Sequence, residues 1–205
     1  MTRLHNADLS EGEHHWAEVV SLAGTRPSRA SRQRHQATYR RQDTEKQAEA
    51  RQALSLSKRG VVGTLVAADG SFDPLLKFGA VAWQTTQGQG GDVVVDSVAS
   101  PFACELHAVY HAVTNVDGPL TLLVDCTELV TALDEVFTTA VLTHPSGHDP
   151  HLGPLWQVIG KQAEQRTLRV AWSPGHGGSH PLLAHCDRTA RHQLRLARPA
   201  IAAAA

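Results

Sequence analysis

Long apolar runs, paired cysteines and a strong net charge are all missing from this sequence of 205 residues. No stretch approaches the roughly 18 apolar residues that predict a membrane span, and the first residues lack the apolar stretch of a secretory signal. The three cysteines are odd in number and too widely spaced for a zinc knuckle or a redox pair, so reduced thiols are expected. These absences predict a soluble, intracellular (cytoplasmic) protein.

The formal net charge of -1 excludes a polycation that coats nucleic acid without specificity. The charge is unevenly distributed, however. Ten basic residues face three acidic residues between positions 26 and 59, whereas eight basic residues face thirteen acidic ones after residue 60. Apolar periodicity also begins near Arg59–Gly60. We therefore predict a basic, helical or partly disordered extension over residues 1–60, a domain over 61–197 and a tail over 198–205.

The pattern after residue 60 predicts an α/β domain. Three strands joined by short turns come first, and the first of them meets a turn at Asp69–Gly70. A helix from Pro101 to about Thr114, an apolar strand ending at Asp125 and two more helical stretches follow. A strand over 167–172 and a helix from Pro181 to about Leu196 complete the domain. The predicted fold is a mixed sheet of five strands flanked by helices.

Four acidic residues stand at the ends of predicted strands or inside predicted helices: Asp69, Glu105, Asp125 and Asp187. Because the carboxyl ends of neighbouring parallel strands lie side by side, Asp69 and Asp125 converge if their strands pair. Converging carboxylates repel one another unless a cation neutralises them, and Mg²⁺ prefers such oxygen ligands. Taken singly, each acid is also typical of a turn, a helix cap or a solvated surface.

Four segments, in order, resemble the signature blocks of the ribonuclease H family: ADGSF followed by GAVAW, ACELHAVYHAV, LLVDCTELVTAL and WSPGHGGSHPLLAHCDRTAR. The resemblance runs from Val61 to Arg195, about two-thirds of the chain. It implies a ribonuclease H-like fold and a two-metal endonuclease that uses Mg²⁺ or Mn²⁺ to hydrolyse the RNA strand of an RNA/DNA hybrid. It also implies that the family's catalytic metal-ligand positions are Asp69, Glu105, Asp125 and Asp187.

The family's mobile catalytic histidine has two candidates here. His176, in the glycine-rich segment GHGG, stands where the resemblance implies, and a histidine that titrates near neutrality can shuttle a proton. His180 is the rival, because the loop before Asp187 is one residue longer than in the family pattern. A separate pair, His107 and His111, has the four-residue spacing of helical zinc ligands, but no third ligand is evident.

Three departures from the family pattern leave the substrate open. Ser100-Pro101-Phe102 replaces the polar residues that grip RNA, Leu182-Leu183 replaces a polar position, and residues 137–151 contain no Lys or Arg where some members carry a basic protrusion. The alternatives are a divergent nuclease acting on DNA or structured RNA, or a non-catalytic nucleic-acid-binding module. The basic extension could supply phosphate contacts, remain solvated or bind a protein partner.

Overall fold

The computed structural model describes residues 47–139, 150–175 and 180–204. The chain divides into two units, Met1–Glu49 and Ala50–Ala205, and the fold below belongs to the second. Its strands are β1 Thr64–Asp73, β2 Phe78–Thr85, β3 Gly90–Val95, β4 Leu120–Val124 and β5 Leu168–Trp172. Its longer helices are α1 Pro101–Asn115, α2 Thr127–Thr139, α3 Gly153–Gln165 and α4 Pro181–Ala204. Short helical segments occupy 47–54 and Leu56–Arg59, and a 3-10 turn covers Pro150–Leu152.

The strands form one sheet in the order β3-β2-β1-β4-β5. Strand β2 pairs antiparallel with both β1 and β3, whereas β4 runs parallel to β1 and β5 runs parallel to β4. Short turns join the antiparallel strands, while parallel neighbours require crossovers, which the helices supply. The prediction of an α/β domain with a mixed five-stranded sheet flanked by helices is therefore confirmed.

The helices cover the two faces of the sheet unequally. Alternate residues of a strand face opposite sides, and the buried side chains form two separate clusters. The larger cluster joins one face of the sheet to α1, α2 and α3. The smaller cluster joins the other face, through residues such as Ala67 and Leu123, to Leu183, Cys186 and Ala190 of α4. Within the described part of the chain, this face is covered by α4 and by Leu56 of the short helical segment Leu56–Arg59.

The turn predicted at Asp69–Gly70 is wrong. Strand β1 continues through this pair, and the turn lies at residues 74–77. The ladder with β2 is unbroken here, because Asp69 pairs with Ala82 and Gly70 follows in register. A Cβ at Gly70 would lie 2.8 Å from the carbonyl carbon of Cys104, so the glycine lets α1 approach the strand closely. In this chain the Asp-Gly pair lies inside a strand, where its glycine allows α1 to pack closely, and it does not form a turn.

The compact unit begins about ten residues before the predicted boundary. Leu54 is buried in the larger core cluster, and Ser55 forms an isolated parallel bridge with Trp172 at the edge of β5. The Arg59 guanidinium forms an ion pair with Asp134 of α2, in which Nη2 donates to Oδ2 at 2.8 Å. These contacts attach residues 50–59 to the domain, and they occupy one of the basic groups that the sequence assigned to the extension.

Helix α4 continues past the predicted end at Leu196 to Ala204. Arg198 forms an ion pair with Asp73, Nε to Oδ2, at 3.2 Å, and the residues after it are rich in alanine, the strongest helix former. The predicted tail is thus helical as far as residue 204. Within the described ranges, no helix combines the length and apolarity needed to cross a bilayer.

Candidate metal centre

Two neighbouring strands bring Asp69 and Asp125 together. The parallel pairing of β1 with β4 ends at Ala67 and Leu123; Asp69 lies two residues further along β1, and Asp125 directly follows the last residue of β4. Since residues two apart in a strand share a face, Asp69 belongs, like Ala67, to the face that α4 covers. The indole N–H of Trp172 donates to the main-chain carbonyl oxygen of Asp125 at 2.9 Å, which holds the chain just after β4.

Glu105 joins this pair from the beginning of α1. The side chain of Ser100 caps the helix by accepting a hydrogen bond from the Ala103 N–H at 3.1 Å. Pro101 occupies the first turn, where the N–H that proline lacks would have had no partner within the helix. Ligand oxygens of Asp69, Glu105 and Asp125 all lie within 4.8 Å of one another. We call these three residues the acidic cluster, and their spacing could hold a metal ion.

Asp187 lies beside the acidic cluster but is not part of it. It lines the same cavity, which has a volume of about 480 Å³, and its charge contributes to the raised pKa of Asp69. Its Oδ1 forms an ion pair with Nε of Arg191, one helical turn later, at 2.8 Å. A cation from the chain itself therefore compensates the fourth predicted ligand.

Burial and mutual repulsion disfavour ionisation of the acidic cluster. Burial, followed by the charge of Asp125, raises the pKa of Asp69 to about 7. Burial also raises the pKa of Glu105 well above its ordinary value, with the charge of Asp69 as the next cause. A hydrogen bond between these two carboxyls lowers the pKa of Asp69 and raises the pKa of Glu105.

The donor set of the acidic cluster fits a divalent cation. Oε2 of Glu105 is shielded from solvent and has no hydrogen-bond partner among the described residues. A buried oxygen without a partner carries a desolvation penalty, which a coordinated cation would remove. Three carboxylates supply hard oxygen ligands, the type that Mg²⁺ and Mn²⁺ prefer. The predicted metal site is therefore supported for three of the four acids, without identifying the ion.

A buried thiol attaches α1 to the strand that carries Asp69. Cys104 immediately precedes Glu105, and its Sγ lies 3.4 Å from the carbonyl oxygen of Ser71, two residues after Asp69. Burial raises the pKa of this thiol to about 12, which keeps it a protonated donor. A Cβ at Gly79 would lie 2.5 Å from the same sulfur, so the neighbouring strand also leaves room for it. The thiol contact positions the start of α1, and with it Glu105.

A second buried thiol attaches α4 on the other side of Asp69. Cys186 immediately precedes Asp187, and its Sγ lies 3.4 Å from the carbonyl oxygen of Ala67, two residues before Asp69. Burial raises the pKa of this thiol to about 12 as well. The two thiols thus bracket Asp69 along β1. The adjacency of cysteines and acids in the sequence reflects packing around the acidic cluster.

Gly175 leaves the space that the Asp125 carboxylate occupies. A Cβ at position 175 would lie only 2.1 Å from Oδ2 of Asp125, far inside van der Waals contact. Among the glycines of this loop, Gly175 is the one that lies within the described residues, and the reason for a glycine there is steric.

The two candidates for the loop histidine have different outcomes. His176 lies outside the described residues. The main-chain N–H of His180 donates to Oγ of Ser173 at 3.3 Å, and its Nδ1 accepts from the Leu182 N–H at 3.3 Å. His180 therefore caps the first turn of α4, and it is not among the residues that line the cavity.

The histidine pair on α1 does not form a zinc site within the described residues. His107 and His111 are both half-buried, and burial lowers the pKa of each, with the charge of His111 as the second cause for His107. The ring of Tyr110 meets His111 edge-on, with centroids 5.1 Å apart. No third metal-ligating side chain joins the pair in the described ranges, so we interpret both as packing residues.

Three features of the site were not predicted from the sequence: Arg191 in the cavity, the space at Gly175, and the bond from Trp172 to Asp125. Arg191 follows Asp187 by four residues, and this i,i+4 spacing was the available signal. The Trp172 bond joins positions 47 apart, and a steric gap at Gly175 depends on where the Asp125 side chain lies. No local pattern predicts contacts of these two kinds.

No protein-family model matches this chain, and no curated protein matches it. The basis for a functional assignment is therefore the acidic cluster, its surroundings and the order of the four sequence segments.

Proposed function

We propose that this chain is a divergent ribonuclease H-like endonuclease that hydrolyses phosphodiester bonds with divalent metal, and that the RNA strand of an RNA/DNA hybrid is its main substrate. The observation that carries the proposal is the convergence of Asp69, Glu105 and Asp125 at the edge of two adjacent parallel strands. The mixed sheet, with its order β3-β2-β1-β4-β5, is compatible with a ribonuclease H-like fold.

In this proposal the acidic cluster would hold a divalent ion, and Asp187, which is paired with Arg191 in the same cavity, would be the further carboxylate available to a second one. Bound Mg²⁺ would supply Lewis acidity that activates water and stabilises the leaving oxygen of the phosphodiester. The raised pKa values of Asp69 and Glu105 mean that metal binding at neutral pH releases protons. The buried thiols keep the acid-bearing helices against β1, and His176 is proposed to assist proton transfer.

Cleavage of DNA or structured RNA by the same site is a second candidate, favoured by the lining of the cavity. Phe72 and Pro101 line the cavity beside the acidic cluster. Neither side chain can donate or accept a hydrogen bond to a ribose 2′-hydroxyl, the group by which proteins distinguish RNA from DNA. The metal chemistry is shared by both candidates, so only substrate contacts separate them.

A panel of four labelled substrates of one sequence tests the proposal. The full chain is incubated with RNA/DNA hybrid, double-stranded RNA, double-stranded DNA and single strands, each with Mg²⁺, Mn²⁺ or EDTA. We expect cleavage of the RNA strand of the hybrid that requires metal. Cleavage of double-stranded DNA or double-stranded RNA that is faster than cleavage of the hybrid would favour the second candidate. Binding without cleavage under every metal condition would contradict the nuclease proposal and favour a non-catalytic binding module.

A further inference from the structure

Basic residues of the compact domain are concentrated on α4. Of the eight Lys and Arg residues after position 60, four lie in one short stretch of this helix: Arg188, Arg191, Arg195 and Arg198. Their spacings of three, four and three residues place them within about 80° of one another around the helix, at 100° per residue. All four side chains are exposed. We call this set the arginine face.

The arginine face has an inner and an outer row. The inner pair, Arg191 and Arg198, forms the ion pairs with Asp187 and Asp73 at 2.8 and 3.2 Å. The outer pair, Arg188 and Arg195, is seven residues apart and makes no ion pair with the described part of the chain. The outer row therefore presents positive charge that the described residues do not neutralise.

The arginine face is continuous with the cavity of the acidic cluster. Arg191 is one of the residues that line this cavity. Asp73, the partner of Arg198, stands between Phe72 and Pro74, which also line it. From Arg188 to Arg198 the helix rises by about 15 Å at 1.5 Å per residue. The positive charge thus extends along the margin of the cavity.

We propose that the arginine face binds the phosphate backbone of a double-helical nucleic acid whose scissile bond lies at the acidic cluster. This inference rests on the proposed nuclease function and names the surface that holds its substrate. Guanidinium groups bind phosphate oxygens in a planar, bidentate manner. A length of about 15 Å matches roughly four phosphates of one strand, at 3.4 Å of helix axis each.

Charge balance explains why such a surface is needed. The acidic cluster repels a polyanion until metal neutralises it, and the sequence carries no Lys or Arg over 137–151, so cations elsewhere must attract the backbone. An anionic lipid bilayer suits the face less well. A flat anionic bilayer that contacted the arginines would also contact the acidic cavity, which repels it. A nucleic acid can instead place its phosphates along α4 and only its scissile bond in the cavity.

The salt dependence of binding tests this inference. Fluorescence anisotropy measures the affinity of the full chain for a labelled RNA/DNA hybrid across a salt series, in EDTA so that no metal-dependent cleavage interferes. The test variant is Arg188→Gln with Arg195→Gln. The slope of log affinity against log salt is negative, and each lost phosphate contact should make it shallower by about 0.9. Each lost contact should also lower the affinity at 0.1 M salt by roughly five- to tenfold. We expect two contacts to be lost.

Two further variants control for charge and folding. Lys161→Gln also removes one exposed cation, but it lies on α3, which packs on the opposite face of the sheet, so we expect the wild-type slope. Arg188→Lys with Arg195→Lys keeps both charges and should keep most of the slope, even if the Gln variant folds poorly. Thermal unfolding of each variant verifies the fold, and an unchanged Tm is expected because both arginines are exposed.

The outcomes separate this inference from the nuclease proposal. The arginine face is overturned if the double Gln variant has the same salt slope as the wild type. It is also overturned if Lys161→Gln makes the slope as shallow as the double Gln variant does. Failure to bind nucleic acid, with binding to phosphatidylserine vesicles instead, overturns it too. An arginine-dependent slope without any cleavage in Mg²⁺ or Mn²⁺ supports the surface and contradicts the nuclease. Cleavage in Mg²⁺ combined with an arginine-independent slope supports the nuclease and contradicts the surface.

Discussion

Replacing Asp69 by Asn should stabilise the protein in the absence of divalent metal, and increasingly so as pH rises. Asp69 is only 5% exposed, and burial together with the charge of Asp125 raises its pKa from 3.8 to about 7. Between these two values the folded protein holds a proton that the unfolded chain has already lost. The wild type therefore loses stability as pH rises from about 4 to 7, and an uncharged amide removes this loss.

The size of the effect follows from the same pKa difference. About three pH units correspond to roughly 4 kcal/mol, as an upper bound for a carboxyl that shares a proton with its neighbour. The Asn amide also loses part of the hydrogen bond to Glu105, so we expect roughly 2 kcal/mol at pH 8. For a domain of this size that corresponds to a rise in Tm of about 4–8 °C. At pH 5, where Asp69 is protonated, the rise should nearly vanish.

Thermal unfolding followed by circular dichroism in EDTA at pH 5, 6.5 and 8 provides the assay. Asp92→Asn makes the same chemical change at an exposed position on β3 and should leave Tm unchanged at every pH. Adding Mg²⁺ at pH 8 should raise the Tm of the wild type more than that of the variant, because the variant has lost a ligand. A Tm difference between Asp69→Asn and wild type that does not grow with pH would show that the Asp69 carboxyl does not titrate with a raised pKa.

Three other changes test the site and its attachments. Gly175→Ala should weaken Mn²⁺ binding at least about tenfold in calorimetric titrations, because its Cβ would occupy the place of the Asp125 carboxylate; an unchanged Kd would contradict the steric argument. His176→Ala should slow single-turnover cleavage without abolishing it, whereas His180→Ala should lower Tm through the lost helix cap and leave the rate nearly unchanged; the reverse ranking would exchange their roles. Deleting residues 1–49 should leave Tm within about 2 °C, whereas deleting 1–59 should lower it by several degrees more, because Leu54 and the Arg59 ion pair are lost; equal Tm values would contradict the attachment of 50–59.

Much of the fold was predictable because its signals are local. The apolar run ending at Asp125 became β4, and the pattern beginning at Pro101 became α1, each with bounds close to those expected. The convergence of Asp69 with Asp125 followed from one general property of parallel strands. Turn chemistry was the least reliable signal. Asp-Gly is typical of turns, but here the ladder with β2 and the close approach of α1 require a small residue inside a strand.

Contacts between distant parts of the chain account for what the sequence did not predict. The docking of residues 50–59 depends on Asp134, about 75 positions later, which no window over the basic segment includes. The pairing of Asp187 with Arg191 is local, yet only the structure places Arg191 in the cavity. Charge counted along the chain indicated phosphate contacts as one of three possible roles of the extension, whereas charge arranged around α4 identifies a second basic surface.

Single-turnover cleavage of a hybrid labelled on its RNA strand tests the metal-dependent nuclease itself, with three proteins purified in parallel: wild type, Asp125→Asn and the exposed control Asp92→Asn. We predict equal rates for wild type and the control in Mg²⁺, no cleavage in EDTA, and a rate at least about 100-fold lower for Asp125→Asn. Cleavage by Asp125→Asn at the wild-type rate, or cleavage that persists in EDTA, would contradict the assignment of the acidic cluster as a catalytic metal site.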